Sequence, residues 1–185
     1  MAVMKSAMIP LGTPAPPFAL RDAATDKSVA LSDFASAPLV VAFLCNHCPY
    51  VKHMLEGFIA FARDYGPRGV GIVAICSNDA RTYPADSPAE MAKLAREKDF
   101  PFPYLIDETQ DVARAYTATC TPDLYLFGPD GRLVYRGQFD GSRPGSQVPV
   151  TGTDLRAAVD ALLSHKPVPA NQIPGVGCSI KWKSG

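Results

Sequence analysis

Apolar positions in this chain follow two rhythms, one suited to buried strands and one to helices. APLVVAFLC (37–45) is a continuous apolar run rich in valine, which predicts a strand buried on both faces. Between Tyr50 and Tyr65 the residues Val51, Met54, Leu55, Phe58, Ile59 and Ala62 recur at helical spacing, and GPRG (66–69) closes that helix. VGIVAICS (70–77) reads as a second buried strand and SNDARTYPADS (77–87) as a polar loop. SPAEMAKLAREKDF (87–100) has a serine cap, proline at the first helical position and glutamate at the third. FPYLIDE (102–108) predicts a short strand, TQDVARAYTA (109–118) a short helix, and DLYLFGPDGRLVYRGQFD (123–140) two strands around GPDG. TGTDLRAAVDALLSHK (151–166) predicts a capped amphipathic helix. Upstream, PAPPFALRDAATDKSVALSDF (14–34) is a Pro-rich lead-in followed by a hairpin. Residues 1–13 form an N-terminal arm, and residues 167–185, which lack periodicity, an irregular tail. The order is hairpin, β, α, β, α, β, α, β, β, α. It predicts a single α/β domain, a mixed central sheet flanked by helices on both faces.

The 185 residues suffice for one such domain with its own core. Lysines plus arginines number 18, as do aspartates plus glutamates, so no net field favours nucleic acid or an anionic membrane. No apolar stretch reaches the roughly 18 residues of a membrane span. The segment MAVMKSAMIPLGTPAPPF lacks the apolar run of a signal peptide. The expected location is cytoplasmic, in a reducing compartment, where five cysteines do not read as a stapled scaffold. A close pair there points to catalysis or metal binding.

FLCNHCPYV (43–51) holds that pair, Cys45 and Cys48, with Asn46 and His47 between them and Pro49 after. A strand that delivers a cysteine to a helix start sets the sulfur beside first-turn amides without internal partners. These favour an anion by about 0.3–2 kcal/mol. Each unit of pKa depression takes about 1.4 kcal/mol, so the helix end supplies about one unit, and the partner thiol or His47 the rest. On this reading Cys45 sits at the exposed start of the helix and attacks. Cys48, one turn on and about 5 Å away between Cα atoms, resolves the mixed disulfide. Pro49 pulls the other way. It disfavours helical geometry at Cys48 and clashes with the Cys45 carbonyl, so the helix could begin at Pro49 with the sulfurs farther apart. Either way, catalysis requires one of the two sulfurs to open to solvent.

Polar Asn46 and His47 argue against two inert core thiols. A metal site of Cys45, Cys48 and His53 would offer three ligands where structural zinc takes four, and the only distant histidine, His165, falls on a surface helix. Cys76 ends a buried strand and reads as a small hydrophobe. Lys52 and His53 read as solvated. Arg132 and Arg136 read as exposed strand residues, though either could polarise a bound peroxide. Tyr125, Leu126 and Phe127 read as strand core. The strand before the pair carries no carboxylate to accept a proton, which leaves Asp107 or Glu108 from another strand. Trp182, between Lys181 and Lys183, is expected to dock the tail on the body by burying its ring.

A strand, Cys-x-x-Cys, a long helix and a later Thr-Pro before a strand resemble the thioredoxin layout. HCPYVK, CTPDLYLF, LVYRG and GCSIKWK resemble the peroxiredoxin-like branch of the redoxin (alkyl hydroperoxide reductase/thiol-specific antioxidant) group, over residues 12–183. The resemblance implies a thioredoxin-like fold and an oxidoreductase acting on protein disulfides or peroxides. It implies no organic cofactor, and electrons from a thioredoxin- or glutathione-type reductant. It further implies that Thr121-Pro122 is cis and faces the pair, with Pro122 presenting substrate backbone. Cys120 and Cys178 then become additional candidate redox thiols, and a homodimer stays open. Peroxiredoxins carry Pro-x-x-x-Thr-x-x-Cys; counted back from Cys48, this chain has Cys45 at the threonine position and Val41 at the proline position. The hydroxyl that would orient a peroxide is missing there, so dithiol–disulfide exchange is the favoured function. Second is a thiol peroxidase in which Cys48 becomes a sulfenic acid resolved by Cys45, Cys120 or Cys178. Third is a copper- or zinc-binding or partner-binding module without turnover.

Overall fold

The computed structural model describes residues 3–184; Met1, Ala2 and Gly185, the ends of the expected arm and tail, lie outside the described residues. The central strand β4 (Leu39–Phe43) is wholly buried, and its alternation explains the layers. Val40 and Ala42 enter one core, with Phe58, Met91 and Val159. Leu39, Val41 and Phe43 enter the other, with Phe18, Val112 and Tyr116. The first core is roofed by three helices, α1 (Pro49–Tyr65), α2 (Pro88–Glu97) and α4 (Thr153–Leu163). The short α3 (Asp111–Ala115) covers the second.

β4 pairs in parallel with β5 (Gly71–Cys76), which pairs in parallel with β6 (Tyr104–Ile106). The hairpin of β2 (Ala19–Asp22) and β3 (Ser28–Ala30) extends that side antiparallel. On the other side lie β8 (Asp123–Phe127) and β9 (Leu133–Gly137), also antiparallel. The order is β3-β2-β6-β5-β4-β8-β9. This is the expected mixed sheet with helices on both faces. No helix among the described residues is long and apolar enough to cross a membrane.

A second sheet was not expected. β1 (Val3–Lys5), β10 (Val176–Ser179) and β7 (Cys120–Thr121) form an antiparallel ladder in the order β1-β10-β7. The arm and the tail are therefore ordered here, which corrects the reading of 167–185 as irregular throughout. Beyond β10, Ile180 is buried in the second core. Gln110 Nε2 donates to the Lys181 carbonyl at 2.9 Å, and the Lys181 N–H donates to Asn78 Oδ1 at 2.8 Å. Trp182 is not buried: its ring is 41% exposed and lies 4.9 Å from the Arg114 guanidinium. Ile180 and these hydrogen bonds hold the tail, not the indole.

Candidate active site

The chain leaves β4 at Phe43 and reaches α1 through an irregular turn. Cys45 lies in that turn, and Cys48 is the N-cap of α1, with extended φ −67° and ψ 124°. The expectation that the helix opens at Cys45 is thus corrected. Pro49 has no N–H to leave unpaired at the first position, and it denies helical geometry to the residue before it.

The turn is pinned by a carboxylate from far along the chain. Asp86 ends a short 3-10 turn, Pro84–Asp86, and is 2% exposed. Its Oδ1 accepts the N–H groups of Asn46 at 2.8 Å and His47 at 3.2 Å. Its Oδ2 accepts from Asn78 Nδ2 at 2.8 Å and pairs with His47 Nδ1 at 2.6 Å. Both Asp86 oxygens are thus engaged, and together these contacts tie the turn of Asn46 and His47 to the Pro84–Asp86 segment. The imidazole stacks on Tyr83 at 4.9 Å, and the Tyr104 hydroxyl donates to Asn46 Oδ1 at 3.1 Å. Asp86, Tyr83 and Asn78 have no signal in the sequence, because polar loop residues carry no periodicity, and Tyr104 reads there only as a residue of the strand β6. Of the two carboxylates expected there, Glu108 is exposed. Asp107 is buried but accepts from the Ser77 hydroxyl and the Ala113 N–H at the start of α3.

Thr121 and Pro122 lie where the resemblance put them, and the bond between them is cis. The Thr121 hydroxyl is 3.2 Å from Cys45 Sγ, and its carbonyl oxygen is 3.1 Å from Cys48 Sγ. The two sulfurs differ sharply in acidity. Cys45 is raised, first by its hydrogen bond to Cys48, then by burial and by the Asp86 charge. Cys48 is lowered, first by the bond from the Cys45 thiol, and further by the Val51 N–H and by the thiol and N–H of Cys178, against burial. The Thr121 carbonyl opposes this, since only a protonated Cys48 can donate to it. Several donors against one acceptor leave the balance with the thiolate.

Cys178 on β10 is the register partner of Thr121, whose carbonyl meets the Cys48 sulfur, and both cysteines lie in the first core. The Cys178 thiol is pushed up to about 11, first by burial and then by the neighbouring Cys48. Cys120 is buried, its sulfur 3.6 Å from the Pro122 carbonyl, and burial raises it to about 12. Cys76 is likewise raised to about 12 by burial, as a small core residue would be. All five cysteines are free thiols. Cys45 is 1% and Cys48 0% exposed. The exposed start expected for Cys45 does not exist, and the required opening to solvent is absent from this arrangement.

The remaining candidates lie elsewhere. His53 is half-buried, not solvated, with Nε2 2.7 Å from the Ser142 hydroxyl. His165 follows α4 and is exposed, as is Lys52. Arg132 donates to the Gly12 carbonyl, and Arg136 to the Ile9 carbonyl and Gln172. Both are committed to fastening the N-terminal segment. Tyr125, Leu126 and Phe127 are core, as expected. The ligand atoms of Cys45, His47 and Asp86 lie within 4.8 Å of one another, a different trio from Cys45, Cys48 and His53. Four hydrogen bonds already occupy the Asp86 oxygens, so a metal ion would have to displace them.

Solved structures resemble this one over its whole length. A conserved protein from Geobacillus kaustophilus is 54% identical, with 100% of this chain and 98% of that chain covered and a TM-score of 0.98. A protein from Sinorhizobium meliloti 1021 is 46% identical, with coverages of 98% and 99% and a TM-score of 0.95. The thioredoxin domain of a thiol-disulfide oxidoreductase from Bacteroides vulgatus shares the fold at 16% identity, with coverages of 80% and 96% and a TM-score of 0.61. No curated protein matches the chain. The AhpC/TSA family pattern matches residues 11–136, and the chain belongs to that family, within the redoxin group of the thioredoxin superfamily.

Proposed function

We propose that this oxidoreductase exchanges dithiols and disulfides through Cys45 and Cys48, with Cys48 as the attacking sulfur and Cys45 as the resolving one. This reverses the roles expected from the sequence. The observation that carries it is the placement of the pair: Cys48 is the N-cap of α1 and Cys45 lies in the turn before it, 3.2 Å from the Thr121 hydroxyl, an arrangement in which each sulfur's neighbour lowers Cys48 and raises Cys45. In the first step the Cys48 thiolate attacks one sulfur of a substrate disulfide, forming a mixed disulfide and releasing the other sulfur as a thiolate that takes a solvent proton. Cys45 then gives up its proton and attacks Cys48. The Thr121 hydroxyl can donate to the Cys45 sulfur as it ionises. The substrate's second thiolate leaves with a proton, and a Cys45–Cys48 disulfide remains. A thioredoxin- or glutathione-type dithiol restores the reduced pair by the reverse exchange. Because both sulfurs are covered, substrate must meet a form in which the segment over Cys48 has moved aside.

The same asymmetry supports a second reading, reduction of a hydroperoxide at Cys48 to give a sulfenic acid that Cys45 condenses with, releasing water. Arg132 and Arg136, bound elsewhere, do not support it. One experiment separates these. In Cys45→Ser, a protein disulfide should accumulate as a mixed disulfide on Cys48, detected by mass, while Cys48→Ser forms none. Trapping through Cys45 in the Cys48→Ser variant would overturn the assignment. Capture of a Cys48 sulfenic acid by a dione reagent, with no mixed disulfide, would replace exchange by peroxide reduction.

A further inference from the structure

Two elements bring a thiol to Cys48. One is the turn after β4, which carries Cys45; the other is β10, which carries Cys178 and lies against the cis Thr121-Pro122 strand. The fit of β10 is close. Gly177 has no space for a side chain, because a Cβ there would collide with the Thr121 carbonyl. β10 is also short, paired to β7 only through Cys178↔Thr121 and Ser179↔Cys120, and to β1 through three residues. It is a strand seated tightly on the Thr121-Pro122 backbone beside Cys48, yet fastened to β7 by little ladder.

We infer that Cys178 is a third redox thiol, which forms a disulfide with Cys48 and thereby latches β10 over the site. The inference rests on the dithiol reading above for its source of oxidising equivalents. In the oxidised protein Cys48 is bonded to Cys45. Cys178, as thiolate, attacks Cys48 Sγ; the Cys45–Cys48 bond breaks and Cys48–Cys178 forms. Cys45 leaves as a thiolate and takes up the proton that Cys178 lost. No electrons enter or leave, so the oxidised protein distributes one disulfide between two positions. With Cys45 as partner, β10 stays free to lift and Cys48 is reachable. With Cys178 as partner, β10 is covalently closed and the site is stored oxidised until an external dithiol reduces it. Cys120 lies on the neighbouring strand, but its sulfur is turned to the Pro122 carbonyl.

The test is a disulfide map of the full-length protein, oxidised under native conditions with a diazene reagent that takes up two electrons and two protons per disulfide. In the wild type, peptides linking Cys45–Cys48 and Cys48–Cys178 are both expected; a pool holding only Cys45–Cys48 overturns the latch. In Cys45→Ala, the Cys48–Cys178 link should form, with both thiols lost to alkylation and slower amide exchange across Val176–Ser179. A Cys48–Cys120 link there, or Cys48 oxidised only onto added glutathione, overturns it and leaves the dithiol reading standing. In Cys178→Ala, Cys45–Cys48 should still form. If it does not, while Cys45→Ala yields Cys48–Cys178, the dithiol reading falls and with it the exchange from Cys45, leaving a Cys48–Cys178 link made by the external oxidant alone. Serine versions of each variant, checked for folding by circular dichroism, guard against collapse of a core site.

Discussion

The Cys48 thiol is made more acidic with no cationic side chain among the leading contributions. The residue is the N-cap of a helix, and its acidity is raised first by the neighbouring Cys45, then by the Val51 N–H and by Cys178 from a strand at the far end of the chain. Such donors hold their positions only if the turn carrying Asn46 and His47 is rigid, and Asp86 supplies that rigidity. Replacing Asp86 by Asn keeps the shape but removes the charge. One side of the amide becomes a donor facing donors, and buried N–H groups left unpaired cost about 1–3 kcal/mol each. Asp86→Asn should therefore be less stable by about 2–3 kcal/mol in urea unfolding. It should also lower the Cys45 pKa, since the Asp86 charge raises it. A change below about 0.5 kcal/mol, the range of an ordinary surface substitution, would show that the hub does not hold the turn.

At the scale of elements, β10 is the strand that lies against Thr121-Pro122 beside Cys48. A Gly177→Ala change drives a methyl group into the Thr121 carbonyl and must push β10 from β7. Cys48, buried in the wild type, should then react with a small alkylating agent markedly faster, read by mass spectrometry on the Cys48 peptide. An unchanged rate with an intact fold would mean that something other than β10 limits access. The same element shows what a sequence can and cannot carry. β4 was legible as an apolar run, α1 by its 3.6-residue rhythm, and α2 by Ser87, Pro88 and Glu90; Ser87 does accept the Glu90 N–H, at 3.4 Å. β1, β7 and β10 span two to four residues each, too few for a period to register. β10 contains a glycine chosen by a contact with a carbonyl distant in sequence, and no local pattern announces that contact.

At the scale of the whole molecule, the sheet order gathers residues 45, 48, 86, 121 and 178 into one place. The Cys-x-x-Cys and the Thr-Pro were legible because their chemistry is carried by residue type and spacing. The Asp86 hub and the pairing of Cys178 with Thr121 beside Cys48 were not, because they exist only once the chain is folded. The same folding buries one carboxylate at a cost that can be measured. Asp123 opens β8 opposite Phe43 and is fully buried. Its Oδ2 accepts the Thr119 N–H at 3.1 Å, while its Oδ1 has no close partner; nor do the hydroxyls of Ser6 and Tyr125 nearby. Burial raises its pKa from 3.8 to about 6. The folded state therefore holds this proton more tightly than the unfolded chain does. The resulting stability is fully present below about pH 4 and is lost as pH rises through about 6. Two pKa units correspond to about 3 kcal/mol. Asp123→Asn cannot ionise, so the difference in unfolding free energy between variant and wild type should move by about 2–2.5 kcal/mol in favour of the variant between pH 4 and pH 7. Urea unfolding at half-unit intervals of pH reads it directly. A difference that stays flat would mean that Asp123 keeps an ordinary carboxylate pKa, with its burial relieved by partners such as ordered water.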